Sequence, residues 1–85
     1  MVAPLSPEEA IRRALAARKP GATICPTDAA RLLSPADWRA ALPAIHAAAR
    51  ALATAGKVRL TRRGVPVEDP RGAYRIGLPR PSPSA

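Results

Sequence analysis

Three stretches of this chain begin in the same way: "LSPEEA" at 5–10, "ICPTDA" at 24–29 and "LSPADW" at 33–38. Each runs from an apolar residue to a capping position, proline, any residue, an acid and an apolar residue. That order meets the needs of a helix N-terminus. The cap satisfies an orphan N–H, proline at the first helical position lacks a donor that would be orphaned anyway, and the acid completes a capping box beside the positive helix end. Leu33 is also placed to staple onto Trp38. A thiol accepts hydrogen bonds poorly, so the second start is capped by Cys25 or by Thr27. The unequal spacing of the three marks separate helices rather than a repeat array.

The first helix is expected from about Pro7 to Arg18, ending at "KPG", and the second from about Pro26 to Leu33. In residues 35–55, Trp38, Leu42, Ile45, Ala49 and Leu52 form one apolar stripe at spacings of four, three, four and three. Pro43 falls inside the stripe and removes the bond back to residue 39. The expectation is therefore a helical turn over 35–41, then a helix over 43–55 with Gly56 beyond its end.

After Gly56 the apolar period shortens to two. Val58 and Leu60 alternate with Arg59 and Thr61, and Tyr74, Ile76 and Leu78 with Arg75 and Gly77, as in two half-buried strands. "RGVPVEDPRG" between them reads as a loop, and "ATIC" at 22–25 as a third short strand that the hairpin needs for stability. Helix, strand, helix, helix, strand, loop, strand is the order of a winged helix-turn-helix. The expected fold is thus α+β, with three main helices and a two- to three-stranded antiparallel sheet. Residues 1–5 form an N-terminal extension, 6–78 the domain and 79–85 a Pro/Ser-rich disordered tail.

"TICPTDAARLL", "DWRAALPAI" and "AGKVRLTRRGVPV" closed by "RGAYRIGL" resemble a small bacterial family of unknown function with a winged-helix type of fold. The resemblance covers roughly Ser6 to Leu78. It implies a fold and brings no activity, ligand or catalytic residue with it.

Eighty-five residues make one domain with a small core. The net charge is +8, of which residues 57–80 hold +5 and residues 1–56 hold +3. Such a charge favours nucleic acid, anionic lipid or an acidic protein surface as partner. Against selection for binding, twelve of the fourteen basic residues are Arg, which a GC-rich genome over-supplies together with Ala, Pro and Gly. The single cysteine excludes an internal disulfide and suits a reducing cytoplasm. No signal peptide and no run near the roughly 20 apolar residues of a membrane span is present, so the expected location is cytoplasmic.

No reactive constellation can be assembled. His46 has no Ser, Cys or acid at catalytic spacing, Cys25 reads as a buried structural thiol, and four of the six acids are used by helix starts. Neither an enzyme nor a cofactor or metal site is expected. Trp38 reads as a core anchor on the apolar stripe. The nucleic-acid reading places the helix over 43–55 in a groove and the hairpin loop along the backbone, with Arg39, His46, Arg50, Arg62 and Arg63 as contacts. "PAIHAAARALATA" offers few side chains that read base edges, so phosphate-dominated duplex DNA binding with little sequence preference is expected. The alternative is a protein-interaction or homodimerisation module built on the alanine surface of that helix, because fold alone does not choose between these uses.

Overall fold

The computed structural model describes residues 5–19, 21–67 and 72–78. The extension before residue 5, the tail after residue 78 and part of the expected loop lie outside them. α1 spans Pro7–Ala16 and starts as its sequence requires: Ser6 Oγ accepts the Glu9 N–H at 3.1 Å, with proline at the first helical position. It ends at Ala16, two residues before Arg18, with Ala17 as its C-cap. After β1 (Thr23–Ile24), α2 spans Pro26–Leu33. Its cap position is Cys25 rather than Thr27, and the Cys25 N–H donates to Asp28 Oδ2 at 3.0 Å. The same Asp28 meets the Arg18 guanidinium at 3.6 Å, which ties the chain leaving α1 to the start of α2.

The third helix start is displaced. Ser34 serves α2 as its C-cap, giving its N–H to Ala30, and a turn closed by the Asp37 N–H on the Ser34 carbonyl follows. One residue cannot end a helix and cap the next, so α3 begins at Trp38 with Asp37 before it. α3 then runs unbroken over Trp38–Thr54, through Pro43. The expected division into 35–41 and 43–55 is wrong because the apolar stripe is buried on both sides of the proline: Trp38, Ala41 and Leu42 pack against the core before it, and Ile45, Ala48, Ala49 and Leu52 are buried after it. Arg39 and Pro43 are both exposed, so the carbonyl that proline leaves without a helical donor lies on the solvent side. Pro43→Ala restores that donor and is expected to raise stability by about 1–2 kcal/mol, less than the full interior-proline penalty because proline also restricts the unfolded chain. Urea unfolding checks it; a loss of stability would mean that proline's restriction of the unfolded chain outweighs the missing helical bond.

Gly56, at φ 76, closes α3. Its N–H reaches the Ala53 carbonyl at 3.0 Å and the Lys57 N–H reaches the Leu52 carbonyl at 2.9 Å, the paired bonds of a Schellman ending.

The sheet has four antiparallel strands rather than two or three, in the order β1-β4-β2-β3, with β2 at Arg59–Arg62, β3 at Val65–Pro66 and β4 at Arg75–Gly77. β3 lies inside the stretch that reads as loop. Arg62 pairs with Val65 across the two-residue turn Arg63-Gly64, whose φ values are 51 and 81. Two positive φ values suit the twist of a tight hairpin. Pro66 is tolerated because β3 is the outer edge, where a missing donor leaves no partner unsatisfied.

The core lies between the three helices and one face of this sheet. Ile11, Ile24, Ile45 and Ile76 are its largest fully buried side chains, contributed by α1, β1, α3 and β4. Ile76 is paired with Ile24 on one side and Leu60 on the other. Three helices and a small antiparallel sheet in this order make an α+β arrangement compatible with a winged-helix fold.

Candidate functional site

α3 presents Ala40, Pro43, Ala44, Ala47 and Ala51 outward, flanked by Arg39, Arg50 and Thr54. At its N-terminal end, the half-buried Trp38 packs against the core and receives two guanidiniums: Arg39 at 4.9 Å and Arg31 of α2 at 5.3 Å from the ring centroid. Trp38 is therefore a boundary residue, core-packed on one side and a platform for cations on the other. Arg39 is held at this end, away from the wing.

His46 lies one turn further along and is half-buried. Its Nδ1 is 2.7 Å from the Tyr74 hydroxyl, with the rings 5.6 Å apart and tilted by 48°. The imidazole is thus occupied by the strand side of the domain and does not project from the outer helix face. Burial pushes the Tyr74 hydroxyl up to about 12; the positive charge of Arg50 opposes that rise and the neighbouring Cys25 adds to it. Tyr74 stays protonated, and Arg50, although exposed, belongs to the electrostatic surroundings of this pair.

Arg62 and Arg63 stand at the hairpin tip, both exposed. The Arg62 Nε donates to the Ala73 carbonyl at 3.2 Å, which anchors the side chain. Arg63 is the only non-glycine among the described residues with positive φ. Arg75 lies on the outer sheet face, its Nε on Thr23 Oγ1 at 3.0 Å and an Nη on the Thr23 carbonyl at 3.1 Å. Arg59 lies along that face across Gly77, where an added Cβ would come within 3.4 Å of its Nε.

The structure therefore joins Arg62 and Arg63 with Tyr74, Arg75 and Cys25 around one depression of about 530 Å³. It joins His46 to Tyr74, and Arg39 to Trp38 and Arg31. Reading the sequence misses Arg75 and Arg31. Arg75 appears only as a polar residue alternating in a strand, and nothing local announces the turn that brings α2 beside Trp38. No group of three or more His, Cys, Asp or Glu able to hold a metal occurs among the described residues, and no described helix is long and apolar enough to cross a membrane.

No curated protein matches this chain. Residues 5–79 match the family described as "Protein of unknown function (DUF3253)", a span that includes all three helices and all four strands, and the chain belongs to that family.

Proposed function

We propose that this chain is a winged-helix protein that binds duplex DNA through its phosphates, weakly and with little sequence preference, in the reducing cytoplasm to which its single thiol is suited. One observation carries the reading: Arg62 and Arg63 are both exposed at the hairpin, and Arg63 is held at φ 51, where asparagine or glycine would be less strained. A strained cation at an exposed tip adds little to the fold, and strain of this kind collects where a side chain must be aimed. α2, the turn at 34–37 and α3 supply the helix-turn-helix that would set α3 toward a groove. The outer alanines let the helix approach closely but give bases little to bond with, so affinity rests on phosphate contacts.

A protein-docking reading is favoured by that alanine face itself, with Ala40, Ala44, Ala47 and Ala51 exposed in a row. A salt titration separates the two. If two to four arginines each neutralise a phosphate, affinity for a random duplex falls roughly 10- to 150-fold between 50 and 200 mM salt. Fluorescence anisotropy reads this directly, and an affinity that does not change with salt overturns the proposal.

A further inference from the structure

The depression at the wing base adjoins a second, smaller cavity, and the chemistry of the two differs. The larger, about 530 Å³, is walled by Arg62, Arg63 and Arg75. The smaller, about 240 Å³, is walled by Pro26, Thr27, Leu42 and His46. Cys25, Gly72, Ala73 and Tyr74 line both. The cationic chamber lies within the range of roughly 300–1,000 Å³ usual for small-molecule sites.

Three features make the cationic chamber a seat for a compact oxyanion. No carboxylate is among its described lining residues. Arg62 is anchored through Nε on the Ala73 carbonyl, and Arg75 through Nε and one Nη on Thr23, so terminal N–H groups remain on guanidiniums whose orientation is already fixed. Such fixed forks match phosphate oxygens and lose little freedom on binding. Gly72 brings bare backbone beside Arg62: a Cβ there would lie 3.8 Å from its Nη2, at a φ of 72 that side chains seldom adopt. The adjoining chamber offers the His46 ring, Leu42 and Pro26, walls suited to a flat, weakly polar body. The Tyr74 hydroxyl, bonded to His46 Nδ1, lies on the shared wall and stays protonated.

We propose that this two-chambered cleft binds a nucleoside monophosphate, its phosphate among Arg62, Arg63 and Arg75 and its ring toward His46 and Leu42. The unit is either a free nucleotide or the phosphorylated end of a strand. This site does not rest on duplex binding, which needs the wing tip and α3 but not Arg75.

The chain has one histidine and one cysteine, and both line the cleft. The full chain is titrated with AMP, adenosine and inorganic phosphate at constant ionic strength, while the rate of Cys25 alkylation and the His46 imidazole proton signals are followed. AMP at about four times its dissociation constant slows alkylation about fivefold, as one-site occupancy requires, and shifts the His46 signals saturably. Adenosine and phosphate at that concentration do markedly less. Equal effects of all three, or no effect beyond that of sodium chloride, overturn the proposal. The wild-type comparison decides the matter even where a variant fails to fold.

Arg75→Gln removes protection by AMP and leaves duplex affinity within about twofold, since it contributes none of the phosphate contacts assigned to the wing. Retained protection in Arg75→Gln overturns the phosphate seat. A 5′-phosphorylated oligothymidylate protecting better than both AMP and its 5′-hydroxyl counterpart identifies a strand end as ligand; AMP protecting better identifies the free nucleotide. Salt-dependent duplex binding without any AMP effect defeats the cleft alone, and AMP protection without duplex binding defeats the duplex reading alone.

Discussion

Ile76→Ala is expected to destabilise the domain by about 3–5 kcal/mol, near the upper end for removing a buried isoleucine side chain. Ile76 is fully buried on β4 between Ile24 and Leu60, where the strands on either side fix the backbone and limit collapse of the resulting cavity. An 85-residue domain has only about 4–13 kcal/mol of stability at the usual 0.05–0.15 kcal/mol per residue, so this one change removes a large share of it. The melting temperature should fall by about 12–40 °C, because each kcal/mol moves a domain of this size by about 4–8 °C. Ile76→Val should cost only about 0.5–1.5 kcal/mol. Leu78→Ala, two residues on, removes a leucine that is 52% exposed and should stay within about 0.5 kcal/mol. Urea unfolding of the three variants checks the order. A loss below about 1 kcal/mol for Ile76→Ala would mean that the β1-β4-β2 pairing does not close the core, since a packed site cannot lose three carbons so cheaply.

The contrast between Ile76 and Leu78 also marks where sequence stops predicting this fold. Alternation alone treats Tyr74, Ile76 and Leu78 alike, and the first two are buried, but β4 ends at Gly77 and Leu78 falls beyond its register. Local chemistry predicts α2 to the residue because proline, acid and apolar positions act within one turn. It fails at Ser34, where two helices compete for one cap, and at Pro43, where burial of the stripe on both sides outweighs one absent hydrogen bond. β3 escapes notice because Gly64 and Pro66 are loop residues by propensity, and only pairing with Thr61 and Arg62 makes Val65–Pro66 a strand. For the site, Arg62 and Arg63 stand out in sequence as cations that no structural role consumes. The bond between His46 and Tyr74 spans 28 positions, and the Arg75 anchor on Thr23 spans 52, so neither is visible in any local pattern.

Charge reversal at those two visible cations, Arg62→Glu with Arg63→Glu, is expected to weaken duplex binding by about 100-fold or more at 50 mM salt, well beyond the effect of neutralising them with glutamine. Each glutamate leaves one phosphate without its cation and adds a repulsion, and the dependence of log affinity on log salt should flatten by about two, one for each phosphate no longer neutralised. Both side chains are exposed, and glutamate at position 63 meets the same left-handed backbone as arginine, so the melting temperature should change by no more than a few degrees, in keeping with surface substitutions of about 0.5 kcal/mol. Arg39→Glu, at the opposite end of α3 beside Trp38, gives the comparison: a fall of similar slope there would mean that the duplex lies along the whole helix, and no fall would confine binding to the wing. Sedimentation of the same variants reads self-association. Unchanged duplex affinity with impaired self-association would reject DNA binding through the wing and leave protein docking as the use of this surface. A steep fall in duplex affinity with an unchanged association state assigns the two cations to phosphate.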